Sequence, residues 1–288
     1  MQSIKAKVLT MFMSVIMVVS MFPAFSLNAA TNSCGTNATW NLSGNTLTIS
    51  GSGDIADYPS GAPWYSSRSS IKKLVIGSEI TRVGNYAFYG CYNISEIVFQ
   101  GNKVKSFGEA AFASCSGIKN MVVPQGVVSL GKWCFTEAYL DSVTFPTSLK
   151  VIAYGAFARN NLVKVYLPAG VTTIGDFAFK SNYKLVRVSG GANLVTIGVQ
   201  AFEFCDHLSY FAITSKKLKK ISKCCFYCCS RLKTIYIKNT TKLTKKGVKY
   251  SLYLSSVKKV KVKKSKVKKY KKYFTYRNCG KRGVKVKK

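Results

Sequence analysis

The stretch VGNYAFYGCYNISEIVF, residues 83–99, holds the unit from which the rest of the chain is read. An apolar residue and a small one (Val83-Gly84) are followed by Ala87-Phe88. Cys91 comes three residues later, and then the spaced apolar set Ile94, Ile97 and Phe99. The same layout returns along the chain. A small residue followed by Phe recurs at Ala87-Phe88, Ala111-Phe112, Cys134-Phe135, Ala156-Phe157, Ala178-Phe179, Ala201-Phe202 and Cys225-Phe226, in steps of 22 to 24 residues. Five residues before each Phe stands an apolar residue (Val83, Phe107, Leu130, Ile152, Ile174, Ile197, Ile221). The next position is small in every unit (Gly84, Gly108, Gly131, Ala153, Gly175, Gly198, Ser222).

Between the Phe landmarks the pattern is apolar-x-x-apolar-x-apolar, as in Ile71/Leu74/Ile76, Ile118/Met121/Val123, Leu162/Val165/Leu167 and Leu232/Ile235/Ile237. The alternating pair at its end predicts a short, half-buried strand. The Gly-x-x-Ala-Phe stretch predicts a short helix or helical turn. A unit of ~23 residues cannot bury its own apolar face, but stacked units can. Stacking aligns the strands as a parallel sheet and places the Phe residues in an internal spine.

A period of 20 to 29 with an L-x-x-L-x-L core is a leucine-rich repeat signature. The version here, Val83-Gly84, Ala87-Phe88, Cys91 and Ile94, repeated around Phe112, Phe202 and Phe226, resembles the BspA-type leucine-rich repeat proteins of bacterial surfaces. The flank Cys34-Gly35, Thr39-Trp40, Leu47-Thr48-Ile49-Ser50-Gly51-Ser52-Gly53 and Ala62-Pro63-Trp64-Tyr65 is similar to the segment that precedes such repeats. The resemblance spans about residues 34–237. It implies an α/β repeat solenoid with a parallel β-sheet on the concave face, short helical turns opposite, and a cap at each end. It also implies a secreted or surface-attached protein whose role is adhesion or binding, with no enzymatic activity.

The expected organisation is a signal peptide over 1–30, an N-terminal β cap over 31–70, about seven repeats over 71–240, and Lys-rich degenerate repeats forming a C-terminal cap over 241–288. Lys5 and Lys7 precede an apolar run from Val8 to Phe22, broken by Pro23 and followed by small residues to Ala30, the layout of a secretory signal. The alternative, a retained anchor, is disfavoured because a spanning helix needs ~20 apolar residues. Cleavage is expected after Ala29 or Ala30, and the far end carries no hydrophobic tail or recognisable sorting motif. In the cap, Thr39–Leu42 and Thr46–Ile49 alternate around Gly44-Asn45, a hairpin signal.

Charge is unevenly distributed. The 288 residues hold 44 Lys+Arg, 10 Asp+Glu and a formal net charge of +34, yet Asp206 is the last acid and 28 of the basic residues follow it. Val257/Val260/Val262 and Val284/Val286 keep the repeat spacing there, so the basic end is expected to be folded. Lys258, Lys259, Lys261, Lys263, Lys264, Lys268, Lys269, Lys271 and Lys272 are candidate contacts to an anionic surface. On the blander reading the same lysines serve solubility and block edge-to-edge pairing of strands.

The ten cysteines split two ways. Export favours disulfides. The register puts Cys91, Cys115, Cys205 and Cys229 three residues after the landmark Phe, and Cys134 and Cys225 in the Ala slot, where a free Cys acts as a small hydrophobe. Stacked pairs such as Cys91/Cys115 and Cys205/Cys229 stay open as disulfides. The run Cys224-Cys225-Phe226-Tyr227-Cys228-Cys229 invites a zinc or redox reading, but the repeat already accounts for two of the four, and the only His, His207, lies a coil away. No catalytic set, metal site or cofactor is expected. The ten acids are scattered singly, and no base stands beside a nucleophile.

Period-two alternation turns two columns of each strand outward. The central column runs Val75, Val98, Val122, Thr144, Tyr166, Ser189, Ala212, Tyr236 and Lys261; the flanking one runs Lys73, Glu96, Asn120, Ser142, Lys164, Arg187, Tyr210, Thr234 and Lys259. Lys164, Tyr166, Arg187, Tyr210 and Tyr236 form the candidate ligand face, since Tyr and Arg are enriched at interfaces. An extracellular protein or glycan is the expected partner, and a monomer the expected state. An anionic cell wall or membrane surface is the second choice. Nucleic acid is disfavoured by the export signal.

Overall fold

The structure is a computed structural model and describes residues 32–239 and 242–288. The segment read as an export signal lies outside the described residues. Residues Ser33–Lys288 close around a single apolar core. No helix among the described residues is long and apolar enough to cross a membrane.

Each repeat is one coil of a β-solenoid. The apolar-x-apolar end of the unit forms a short strand in ten successive coils, from Lys73–Ile76 and Glu96–Phe99 through Lys164–Leu167, Arg187–Gly190, Tyr210–Ile213 and Thr234–Ile237 to Lys259–Val262 and Lys285–Lys287. Neighbours pair in parallel and in register, for example Val165↔Val188↔Phe211↔Ile235↔Val260↔Val286. The ladder runs in three stretches, broken after Glu96–Phe99 and after Ser142–Thr144. Core-facing Ile97, Phe99 and Val143 are only partly buried beside those breaks, so packing is looser there.

A second parallel ladder runs along another side of the coil. It comprises Glu79–Val83, Ser106–Phe107, Ser129–Leu130, Val151–Ile152, Thr173–Ile174, Thr196–Ile197 and Lys220–Ile221. These strands carry the apolar residue five before each Phe. This sheet is not among the sequence expectations, which assign a strand only to the apolar-x-apolar end of the unit. A two-residue strand has too little alternation to register as a period.

The expected helical turns are absent from the described repeats, and the α/β description is corrected to a β-solenoid with little helix. Backbone conformation gives the reason. The residues two before and two after each landmark Phe have positive φ, as at Tyr86, Ala110, Trp133, Phe177, Gln200 and Cys224 before it, and Ser114, Glu137, Arg159, Ser181, Phe204 and Cys228 after it. A left-handed residue at every second or fourth position cannot continue an α-helix. The strained turns are held by a third ladder. Each Phe N–H donates to the carbonyl before the next coil's Phe, from Phe88 N to Ala111 O through Phe202 N to Cys225 O, at 2.8–3.0 Å. The described helices are Val267–Lys271 and Tyr276–Cys279, with three single 3-10 turns at Tyr65–Ser67, Lys246–Val248 and Lys264–Lys266.

The Phe rings stack through the core with centroids 5.2–6.0 Å apart from Phe88 to Phe226. Trp64 extends this spine by one coil. It is fully buried, stacks on Phe88 at 5.4 Å and donates Nε1–H to Ala87 O at 2.9 Å. The hairpin Asn37–Ser43/Thr46–Asp54 forms as its Gly44-Asn45 turn predicts. Its second strand pairs at one end with Lys73–Ile76 and at the other with Glu79–Val83, and so spans both ladders. At the basic end Tyr270, Phe274, Cys279 and Val286 are buried, which makes these coils ordered structure.

Candidate binding face

The ten-coil strand ladder turns the predicted columns outward. Tyr166 is 71 % exposed, and Lys164 and Arg187 are exposed in the flanking column. Arg187 pairs in register with Tyr210, and Lys164 with Arg187. Side-chain geometry ties part of the patch together. The Arg187 guanidinium lies 3.9 Å from the Tyr210 ring centre, and Tyr210 stacks on Tyr236 at 5.3 Å and 26°. Lys261 Nζ lies 6.0 Å beyond, over Tyr236. The result is a cation–ring–ring–cation stack across four consecutive coils. Such contacts are worth ~0.5–1 kcal/mol each at an exposed site, and they fix otherwise mobile side chains. Tyr166 and Lys164 share the face without joining the stack.

One outward position is corrected. Ala212 is 2 % exposed, a small side chain in register between Ser189 and Tyr236. In the N-terminal half, Lys73 is ion-paired with Glu96 at 2.7 Å and the Ser142 hydroxyl donates to Asn120 Oδ1 at 2.6 Å. Val75 and Val98 are half-buried there. Val122, at 65 %, stands clear.

The stack leads directly into the lysines. Lys259 pairs in register with Lys285, and Lys261 with Lys287, so four cations form a grid on the same face. Lys285 and Lys287 were missed as site residues, although Val284 and Val286 marked their strand. Lys258 and Lys263 flank the Lys259–Val262 strand. Lys264 lies in a 3-10 turn, and Lys268, Lys269, Lys271 and Lys272 lie on or beside the Val267–Lys271 helix, away from the sheet face. The nine predicted cations are all exposed, but they surround the coil and do not form one patch.

Three of the cysteines have a bonding role not weighed on sequence. All ten are free, and nine are buried. In the column three residues after the Phe, Cys115 donates Sγ–H to Phe88 O, Cys205 to Phe179 O and Cys229 to Phe202 O, at 2.9–3.3 Å. In the two coils where Asn fills that position, Asn160 Nδ2 donates to Phe135 O and Asn182 Nδ2 to Phe157 O, both at 2.8 Å. Thiol and amide are therefore alternative donors to the preceding coil's Phe carbonyl. Burial pushes the Cys34 thiol up to about 11 and the Cys91 thiol to about 12. Among the described residues no three His, Cys, Asp or Glu side chains converge. His207 is exposed, with Nδ1 2.7 Å from Tyr183 O.

A solenoid of parallel strands with a 22–24-residue coil and a buried Phe spine defines a leucine-rich repeat protein. The family model described as "BspA type Leucine rich repeat region" matches residues 64–163 and 150–281 in six copies. The chain belongs to the BspA-type leucine-rich repeat family. Among solved structures it is similar to the T. pallidum leucine-rich repeat protein, at 23% identity over 69% of this chain and 90% of that one, with a TM-score of 0.53. It is also similar to the pneumococcal vaccine antigen PcpA (17% identity, 79% and 80% covered, TM-score 0.41). A third is a leucine-rich cell surface protein of Faecalibacterium prausnitzii A2-165 (17% identity, 88% and 93% covered, TM-score 0.40). At 23% identity the likeness to the T. pallidum protein concerns the fold. No curated protein matches the sequence.

Proposed function

We propose that this chain is an exported, surface-located binding protein without enzymatic activity, and that it engages an extracellular protein or glycan over the open face of its ten-coil sheet. The observation that carries this reading is the Arg187–Tyr210–Tyr236–Lys261 stack. It fixes Tyr and Arg, the side chains that dominate interface energetics, on a rigid sheet. Tyr166 and Lys164 extend the contact area. The hairpin and the basic coils serve as caps: one spans both ladders, and the other supplies buried Tyr270 and Phe274. The protein acts as a monomer, without cofactor or metal.

A second reading has its own support. The Lys259/Lys285 and Lys261/Lys287 grid lies beyond the last acid, Asp206, so it lacks an acidic side chain nearby in sequence to pair with. In this reading the basic coils hold the protein to anionic wall polymers or lipid headgroups, each Lys near the surface contributing ~1 kcal/mol.

The deciding experiment compares retention of the full chain on bacterial envelopes with capture of host matrix proteins and glycans, at about 0.15 M and about 1 M NaCl. Two variants are used. One is Arg187→Ala/Tyr210→Ala/Tyr236→Ala. The other is Lys259→Gln/Lys261→Gln/Lys285→Gln/Lys287→Gln. Capture lost only in the first variant, and resistant to salt, supports adhesion. Retention lost in the second and at high salt supports anchoring. If neither variant changes either binding, both readings fall.

A further inference from the structure

The turn side of the solenoid carries a groove unrelated to the sheet face. Two adjoining cavities of about 410 and 370 Å³ share Glu137, Arg159 and Lys180 in their walls. Tyr139, Tyr183 and Phe204 bound the first, and Trp133, Tyr154 and Phe177 the second. Trp133, Tyr154, Tyr139 and Tyr183 are 37–53 % exposed, an unusual density of open rings for one side of three coils.

The groove is also rigid. Trp133 meets Tyr154 edge to face at 5.3 Å, and Tyr154 meets Phe177 at 5.1 Å. Lys180 Nζ sits 5.2 and 5.9 Å from the Phe177 and Phe204 rings and 2.8 Å from buried Glu203 Oε2. Arg159 is ion-paired with Glu137. Each cation of the groove is thus held by an acid, and the lining is close to neutral. The C-terminal part of the sheet face, by contrast, carries Arg187, Lys259, Lys261, Lys285 and Lys287 without an ion pair among the described residues.

Part of the main chain is already committed. Glu137 N, Arg159 N and Ser181 N donate to Ala158 O, Lys180 O and Glu203 O of the next coil at 2.7–3.1 Å. An extended peptide adding itself to an edge draws on such N–H groups, and these three are held in the inter-coil ladder. What remains for a ligand is ring surface beside planar polar groups (Glu137, Arg159, Asn161). That combination matches a molecule with apolar C–H faces and a hydroxyl rim.

We propose that this turn-side groove, from Trp133 to Phe204, is a binding site for an uncharged oligosaccharide. Sugar rings pack on Trp133, Tyr154 and Tyr183, and their hydroxyls bond to Glu137, Arg159 and Asn161. The site is separate from the sheet face, so it stands or falls independently of the adhesion reading.

The test uses the full chain on a printed array of neutral and anionic oligosaccharides, followed by titration of the best neutral ligand with tryptophan fluorescence and calorimetry. Expected are retention of neutral oligosaccharides that survives about 1 M NaCl, an emission change on binding, and affinity at least about tenfold weaker in Trp133→Ala and in Tyr183→Ala. Tyr183 is 53 % exposed, so its removal should leave the fold intact, as circular dichroism will verify. Arg187→Ala on the sheet face should bind normally. Three results each overturn the proposal: an array with no neutral ligand, binding that high salt abolishes, or unchanged affinity in a folded Trp133→Ala/Tyr183→Ala protein. Preferential binding of a peptide would also refute it.

Discussion

At the scale of single residues, the cysteines are the clearest case of a side chain doing something its chemistry does not advertise. Cys205 and Cys229 act as buried donors in a column that also accepts Asn. Cys229→Asn should therefore keep the melting temperature close to wild type, whereas Cys229→Val should lower stability by ~1–3 kcal/mol, because the Phe202 carbonyl loses its donor. Thermal melts of the two variants check this. The Phe spine is less forgiving. Phe157→Ala removes a ring stacked on both sides and should cost ~3–5 kcal/mol. Cys134→Ala, in a slot that Ala fills in five other coils, should cost far less.

Thiol burial also sets a pH dependence. Cys91 has an ordinary value of 9.0 and is raised to about 12 by burial. A raised thiol holds its proton more tightly folded than unfolded. Its contribution is therefore complete below pH 9 and declines as pH rises from 9 towards 12. Stability should fall over that alkaline window, and Cys91→Ala should flatten the fall in melts taken across it. A wild-type slope identical to that of Cys91→Ala would refute the assignment.

At the scale of the coil, close approach decides what each position tolerates. A Cβ at Gly198 would lie 2.3 Å from the Gly175 carbonyl carbon and 2.4 Å from Asp176 N. Ala153 shows how the one alanine in this column is accommodated. Its N–H to Leu130 O is 3.2 Å, against 2.8–2.9 Å for Gly108, Gly131, Gly175, Gly198 and Ser222 of the same column. Gly198→Ala should destabilise by ~1–3 kcal/mol through the shift needed to relieve that approach, measured by urea unfolding. The turns follow a related logic. Left-handed residues such as Trp133 and Phe177 are strained individually, yet their N–H groups enter a ladder that runs from coil to coil. Repeated inter-coil bonds offset the local cost.

At the scale of the whole solenoid, stability is a sum of nearest-neighbour coil interfaces, and charge acts unevenly on that sum. The ion pairs among the described residues end at Lys180–Glu203, while the coils after Asp206 carry cations at strand spacing without acids. Self-repulsion should weaken those coils at low ionic strength. The melting temperature should rise as NaCl goes from about 20 to about 300 mM. The Lys259→Gln/Lys261→Gln/Lys285→Gln/Lys287→Gln variant should melt higher than wild type at the low end and lose most of the salt dependence. A salt-independent wild-type melt would show that the lysines lie too far apart to matter.

The sequence alone determined the repeat, its register, the buried Phe column and the outward positions of Tyr166, Arg187 and Tyr236. Periodic burial leaves a periodic apolar trace, and seven units in register average out local exceptions. It also marked the basic end as folded, through Val260 and Val286. Only the tertiary structure decided the rest. The second sheet rests on two-residue strands too short to show alternation. The turns look helical by composition, but their conformation is imposed by bonds to the next coil. The thiol donors depend on a carbonyl more than twenty residues away, and the turn-side groove joins Trp133, Arg159 and Phe204 from different coils. Each of these is a relation between residues at least one coil apart in space and about 20 or more apart in sequence, where no local pattern carries the signal.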